Sequence, residues 1–246
     1  MTVEKMMAPK QVAVGVVLLV VCLTGGCRAQ LKDGCKIETL RECGDDFVPY
    51  GKTTKLPATG QPLTELCESE KRQIECSLKF VDDCLKRLPK TAASLALKTL
   101  KEDIGAICTP GTDLHKDYQK AISCMNSVGT KINACLRGLH GGLERAVVKA
   151  PTKEVIHYAC CSYGDVEDCL GKALTQCERV GAKKLTIGLL EHVFGETLSL
   201  VCDDYTRGSH ACKSQPKLPA LGPTDRKVEN YIELLIEAAN TIGRKN

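Results

Sequence analysis

Apolar residues recur along this chain at the spacing of an α-helix. From Leu114 to Leu139 the apolar or small positions step by four and three residues, which places one stripe along a long amphipathic helix. The residues Pro-Gly-Thr-Asp before it are typical of a helix start. Three glycines are typical of a helix end, so the pattern predicts that this helix stops at Gly138, Gly141 and Gly142.

The same spacing predicts four further helices. One covers about 61–88 and ends at Pro89, and its inward face includes Leu85 and Leu88. Two more cover about 91–108 and 182–202. A short helix with one apolar face follows at the end of the chain, from Asp225 to Arg244. Alternating strand patterns are scarce, so the sequence predicts an all-α fold.

Cysteine spacing organises these helices. Two sets of six cysteines have nearly the same spacing, with gaps of 8, 24, 9, 8 and 24 residues in the first set and 11, 25, 9, 8 and 25 in the second. This pattern is typical of a duplicated unit. It predicts a disulfide-rich helical bundle built from two related units, about 35–108 and 124–202, with cysteines Cys35, Cys43, Cys67, Cys76, Cys84 and Cys108 in the first and Cys124, Cys135, Cys160, Cys169, Cys177 and Cys202 in the second.

The first residues are typical of a secretory signal peptide. Lys5 and Lys10 precede an apolar run that ends at Leu23, which is too short to span a membrane. Cleavage after Ala29 leaves an even number of cysteines, whereas cleavage before Cys27 leaves an unpaired thiol. A bacterial lipoprotein signal at Cys27 is the alternative. So many cysteines favour an oxidising compartment, so we expect a secreted, extracellular protein without a transmembrane span.

The expected domain organisation follows from these features. A signal peptide over 1–29 precedes a disulfide-linked helical body over 30–212, a proline-rich linker over 213–224 and a C-terminal amphipathic helix over 225–246. The terminal helix either docks on the core of the body or binds a partner or a membrane surface.

Composition excludes several classes of function. Aromatic residues make up 4% of the chain and tryptophan is absent, so the core must be built from aliphatic side chains and cystine. The formal net charge is +4 without a basic stripe, so we expect no nucleic-acid partner. No Cys-x2-Cys pair occurs, so we expect neither zinc nor another cofactor.

The stretch HYACCSYGDVEDC, from His157 to Cys169, is similar to the active-site helix of secreted calcium-dependent phospholipases. Gly164 stands where the general-base histidine would be, and glycine has no side chain that can accept a proton. We therefore interpret the stretch as structural. Two cysteines, Cys161 and Cys212, lie outside the repeat; they could bond to each other, or Cys161 could bond to Cys160, and separate partners for Cys160 and Cys161 are favoured.

No other residue pattern predicts a catalytic or metal site. His192 and Glu196 lie four residues apart on one predicted helix face, but two ligands do not make a metal site. The glycine-rich segment 138–142 lacks the lysine of a phosphate-binding loop. No nucleophile motif surrounds the remaining candidates, which are Ser209, His210, His115, His140 and His157.

Several of these motifs together resemble a known family. LPATGQPLTELC before the first cluster of cysteines, then HYACCSYGDVEDC, then LSLVCDDYTRGSHAC are similar to the arthropod 27 kDa haemolymph glycoprotein-like group of secreted proteins. The resemblance covers about Cys35 to Cys212 and implies an abundant extracellular protein without assigned catalytic residues. No Asn-x-Ser/Thr sequon occurs, so N-linked sugar is not expected.

The expected function is therefore non-enzymatic. The protein would bind or carry a small apolar ligand between its helices, through residues that the sequence does not identify. The alternative is an extracellular interaction protein of defence, signalling or matrix that acts through an exposed face or the C-terminal helix. A third expectation, less favoured, is a degenerate phospholipase-like hydrolase.

Overall fold

The computed structural model describes residues 31–242, and the expected signal peptide lies outside them. No strand occurs in this range, which confirms the all-α prediction. Within residues 31–242, nine α-helices and one 3-10 helix, Thr175–Val180, follow one another. The α-helices are α1 Ile37–Cys43, α2 Gly60–Cys84, α3 Arg87–Cys108, α4 Asp113–Ser127, α5 Gly129–Lys149, α6 Val155–Ala173, α7 Ala182–Val201, α8 His210–Ser214 and α9 Tyr231–Ala239.

Seven disulfide bonds join these helices, and they pair all cysteines of the described range. Within each set of six cysteines the first bonds to the fifth, the second to the fourth and the third to the sixth. The bonds are Cys35–Cys84, Cys43–Cys76 and Cys67–Cys108 in one set and Cys124–Cys177, Cys135–Cys169 and Cys160–Cys202 in the other. Cys161 bonds to Cys212, so the adjacent cysteines of the CC pair have separate partners.

The long helix predicted from Leu114 is two helices. The backbone at Val128 leaves the helical region, with φ −112° and ψ 10°, and α5 begins at the next residue. The prediction that the glycines end the helix is wrong, because α5 continues to Lys149. A Cβ atom on Gly142 would lie 2.5 Å from Oγ of Ser162 in α6, so close packing of α5 on α6 explains that glycine.

The predicted end of the second helix is also wrong. Helix α2 ends at Cys84, and Pro89 belongs to the first turn of α3, where a missing backbone N–H breaks no helical hydrogen bond. Leu85 is fully buried as predicted, but Leu88 is 44% exposed. The connection between the two helices therefore reverses the chain earlier than the hydrophobic pattern indicates.

The C-terminal helix lies in the core of the body and is shorter than predicted. Residues 225–230 are not helical, and α9 begins after Asn230, whose side chain accepts hydrogen bonds from the backbone N–H groups of Ile232 and Glu233. Ile236 packs with the apolar residues of α2 and α3, whereas Leu234 packs with those of α5 and α6. Because α9 fills the space between these two clusters, its apolar face is not available to a partner.

Candidate ligand cavity

An apolar cavity of about 270 Å³ lies between the helices. Helices α3, α5, α6, α7 and α9 contribute most of its lining, and the segment 47–50 completes it. The side chains that face it are mainly alanine, leucine, isoleucine and valine, as at Ala93, Ala96, Leu100, Leu189 and Ile236. Its lining is predominantly apolar, as in sites that bind small molecules.

Helix α7 forms one wall of this cavity. Its sequence, AKKLTIGLLEHVFGETLSLV, is apolar around most of its circumference, as is typical of a buried helix. Nevertheless only Ala182 and Val193 of its twenty residues are buried. Eight residues between Thr186 and Val201 line the cavity, so their side chains face open space where a core would normally provide contacts.

Disulfide bonds hold α7 near both of its ends. Cys177, in the 3-10 helix that precedes α7, bonds to Cys124 of α4, and Cys202, just after α7, bonds to Cys160 of α6. In the middle of α7, Nδ1 of His192 lies 2.9 and 3.0 Å from the two carboxylate oxygens of Asp103 in α3. The wall is thus covalently fixed at two points and lightly bonded between them.

Two hydroxyl groups of the lining have no hydrogen-bond partner among the described residues. They are the Tyr163 hydroxyl on α6 and the Thr186 hydroxyl on α7, and both oxygen atoms are buried. Burial raises the pKa of Tyr163, and the nearby carboxylates of Glu167 and Glu191 raise it further.

The other tyrosine hydroxyls of the lining are bonded. Tyr50 donates to the side-chain oxygen of Asn126 over 2.9 Å, and Tyr231 donates to the backbone carbonyl of Leu136 over 2.8 Å. These two hydroxyls therefore serve the fold, since each fixes a cavity-lining residue to the helices around it.

Buried ion pairs position α9 beneath the cavity. Glu233 is 1% exposed and accepts two hydrogen bonds of 2.7 Å from the Arg41 guanidinium in α1. Glu237 accepts two more from Arg226, at 2.7 and 2.5 Å. These planar pairs satisfy both carboxylates away from water, and they orient the helix whose opposite face carries cavity residues.

The stretch HYACCSYGDVEDC lies within α6, which the sequence did not predict as a helix. Its CC pair ties α6 to the ends of α7 and α8 through Cys202 and Cys212. A Cβ atom on Gly164 would lie 2.9 Å from Cα of Arg207, so the glycine makes room for the backbone of the segment between these helices. These contacts explain the stretch without a catalytic role.

The histidines that the sequence singled out take part in structural contacts. His192 does not pair with Glu196, because its ring nitrogen faces Asp103 instead. His157 stacks on Tyr205 at 3.9 Å between ring centroids, and His140 lies 3.0 Å from the backbone oxygen of Glu229. In the described residues, no group of three potential metal ligands comes together.

The last three candidates, His115, Ser209 and His210, lie at helix starts. Nδ1 of His115, in the first turn of α4, lies 2.6 Å from the carbonyl oxygen of Ile107. Ser209 caps α8, since its hydroxyl oxygen accepts a hydrogen bond of 3.1 Å from the backbone N–H of Cys212. His210, the first residue of α8, is exposed.

Sequence reasoning proposed a site between helices but did not find its residues. Asp103, Tyr163 and Thr186 were not predicted, because single polar residues in helical stripes carry no recognisable motif. The signal that was present is the largely apolar character of α7, which is typical of a helix that packs against protein over much of its surface. No helix in residues 31–242 is long and apolar enough to cross a membrane.

Comparison with known proteins gives one match. A family model described as a protein of unknown function, DUF1397, matches residues 56–199. Comparison with curated proteins finds no match, and comparison with solved structures finds none either. The description of the matched family does not mention arthropod haemolymph proteins, so that resemblance stays a prediction. The match spans more than half of the sequence, from the segment before α2 into α7, and the chain therefore belongs to the DUF1397 family.

Proposed function

We propose that this protein is a secreted carrier that binds a small apolar molecule in the cavity between its helices. The observation that carries the proposal is a cavity of about 270 Å³ lined by aliphatic side chains from five helices. Apolar pockets of this kind bind ligands by the removal of apolar surface from water, so no catalytic group is needed.

The apolar lining favours an occupant, because a bound apolar molecule removes the apolar surface of the lining from water. A ligand that fills the space recovers dispersion contacts that α7 and α3 lack without it.

The disulfide framework supports an extracellular location. Seven bonds over residues 35–212 are typical of proteins that fold in an oxidising compartment. With the leader predicted at 1–29, the secreted protein would begin at Gln30. A carrier of the haemolymph type needs this resistance to unfolding, because extracellular fluid offers it no chaperone.

We further propose that the chain consists of two related units, 35–108 and 124–202. The two sets of cysteines share one disulfide pattern, which supports this proposal. Six cysteines can pair in 15 ways, so two unrelated sets would rarely have the same pattern. The cavity lies where helices of both units meet α9, so ligand binding would depend on the association of the units.

A cavity-filling variant tests the proposed function. The fluorescent probe N-phenyl-1-naphthylamine should bind the folded protein and gain fluorescence. Ala96→Phe places a ring in the cavity and should abolish that binding, whereas Ala220→Phe, on an exposed loop outside the lining, should leave it unchanged. Equal probe binding by both variants, or none by the unaltered protein, would contradict the proposal.

A further inference from the structure

One charged side chain lines the otherwise uncharged cavity. It is Asp103 of α3, whose side chain is 10% exposed, and the lining includes no lysine, arginine or histidine of the described residues. We infer that the ligand is an aliphatic amine, whose ammonium group pairs with the Asp103 carboxylate while its hydrocarbon chain occupies the apolar space. This inference rests on the proposed function, because it assigns the ligand chemistry of the same cavity.

The Asp103 carboxylate has room for a further hydrogen-bond donor. Nδ1 of His192 lies 2.9 and 3.0 Å from its two oxygen atoms, and a ring nitrogen carries at most one hydrogen. A carboxylate can accept about four hydrogen bonds. Among the described residues no other donor lies within hydrogen-bond distance of Asp103. An ammonium group brings three donors to the positions that the protein leaves open.

His192 approaches this carboxylate from the surface of the protein. Its side chain is 60% exposed and does not belong to the lining, whereas Asp103 does. The carboxylate therefore lies between a surface residue on one side and the cavity on the other. His192 holds it in place, and the side towards the cavity stays open to a ligand.

The apolar lining strengthens a pairing between Asp103 and a cation. A carboxylate beside apolar side chains loses part of its hydration, which is costly unless a partner replaces the water. Hydrogen bonds between two ionised groups are shorter and stronger than those between neutral groups. An ammonium group therefore compensates the carboxylate better than an uncharged ligand does.

Charges behind the lining disfavour an anionic ligand. The carboxylates of Glu167 and Glu191 lie close enough to Tyr163, a lining residue, to raise its pKa. The Arg207 guanidinium acts on Glu167 but is paired with Asp168 at 2.6 Å. A fatty acid would thus bring its carboxylate close to Asp103 without a lining cation to receive it.

These contacts rank ligands that share one hydrocarbon chain. The chain contributes the same burial of apolar surface in each case, so the head group decides the difference in affinity. An amine offers Asp103 a charged donor, an alcohol offers a neutral donor, and a carboxylate offers a like charge. The expected order of affinity is therefore amine, alcohol, carboxylate.

Competition with the fluorescent probe at pH 7 tests this order. Decylamine, 1-decanol and decanoate are matched straight-chain ligands, and a primary amine is protonated at this pH, as in lysine. We expect decylammonium to displace N-phenyl-1-naphthylamine with an affinity about tenfold above that of 1-decanol, and decanoate to bind more weakly than 1-decanol. Decylammonium affinity equal to or below that of 1-decanol would overturn the inference but leave the carrier proposal intact. Failure of the probe and of all three competitors to bind would remove both.

A variant of Asp103 tests the assigned partner. Asp103→Asn removes the charge at a similar side-chain volume, and it should lower the ratio of decylammonium affinity to 1-decanol affinity to about one. Glu102→Gln, at an exposed neighbouring position on α3, is the matched control and should leave this ratio unchanged. An unchanged ratio in Asp103→Asn would overturn the assignment.

His192→Ala separates the carboxylate from its bond to α7. The variant removes the bond but keeps Asp103, so the ratio should stay as in the unaltered protein or rise. A general change in the shape of the cavity cancels in this ratio, because both ligands carry the same chain. Loss of the preference in His192→Ala, to the extent seen in Asp103→Asn, would show that the position of α7 sets the selectivity and would overturn the inference.

Discussion

Nδ1 of His192 lies 2.9 Å from a carboxylate oxygen of Asp103, and this bond connects the middle of α7 to α3 beside the cavity. The Asp103 side chain is 10% exposed and that of His192 is 60% exposed. The bond therefore connects a buried acid of the lining to a residue at the surface, on the helix that has few buried side chains of its own.

Removal of this bond should loosen α7 without unfolding the protein. His192→Ala should lower the free energy of unfolding by at most about 1 kcal/mol, because the pair is partly exposed to water. Hydrogen exchange of backbone amides in the middle of α7 should become faster, since that part of the helix is held by few contacts. His210→Ala, at an exposed position on α8, is the control. Unchanged exchange in α7 would show that the bond does not hold the wall.

Gly164 should tolerate no larger side chain. An alanine Cβ there would lie 2.9 Å from Cα of Arg207, which is closer than such atoms approach, so the segment between α7 and α8 must shift. We expect Gly164→Ala to cost about 1–3 kcal/mol in thermal or denaturant unfolding. Gly188→Ala, on α7 with open space around it, should instead stabilise slightly through helix propensity. Equal stability of the two variants would contradict the packing role of Gly164.

Glu70 should make stability depend on pH. It is buried on α2 without a hydrogen-bond or ion-pair partner among the described residues, and burial raises its pKa from 4.5 to about 8. Between these two values the folded protein binds a proton that the unfolded chain does not. The free energy of unfolding should therefore be highest below about pH 4.5 for this group and should fall as the pH rises to about 8, by up to about 1.4 kcal/mol per pH unit.

The variant Glu70→Gln removes this titration. Its stability should vary less with pH in that window. Near pH 8 it should be more stable than the unaltered protein, because the buried Glu70 side chain there either becomes charged without a partner or keeps a proton that water would remove, and both cost free energy. Glu68→Gln, at an exposed position on the same helix, is the control and should change little. Parallel pH profiles for Glu70→Gln and the unaltered protein would contradict this account.

The Arg41–Glu233 pair should matter more than the pairs at the surface. Arg41→Ala removes the two short hydrogen bonds to the Glu233 carboxylate, which is 1% exposed, and leaves a longer contact of 3.9 Å to Arg226. We expect a loss of about 2 kcal/mol in denaturant unfolding, less than for a fully buried pair because the Arg41 side chain is 43% exposed.

Lys79→Ala provides the matched control for that prediction. It breaks a pair with Asp83 four residues away on α2, and both side chains are largely exposed. The change should be within about 0.5 kcal/mol. A similar loss in the two variants would show that α9 is held by its apolar contacts alone.

The local pattern of the sequence predicted the all-helical fold and the pairing of the cysteines, but not which cysteine bonds to which. The steps of three and four residues that define α2, α3 and α7 survive in the structure, because the same apolar stripe that marks a helix must also face protein. Helix ends were less accurate. Pro89 suits a first helical turn as well as a position after a helix, and Gly142 serves packing against Ser162 instead of chain reversal.

What the sequence by itself determined is that the chain is helical, with α2, α3 and α7 near their observed bounds, that the cysteines form pairs, and that HYACCSYGDVEDC lacks the base of a hydrolase. Only the tertiary structure decided that α9 is buried, that His192 faces Asp103, and that Tyr163 and Thr186 border one apolar cavity. The physical reason is that helical periodicity identifies the side of a helix that faces protein. It does not reveal whether facing side chains meet or leave a space, because that depends on where the disulfide bonds and ion pairs set the helix axes.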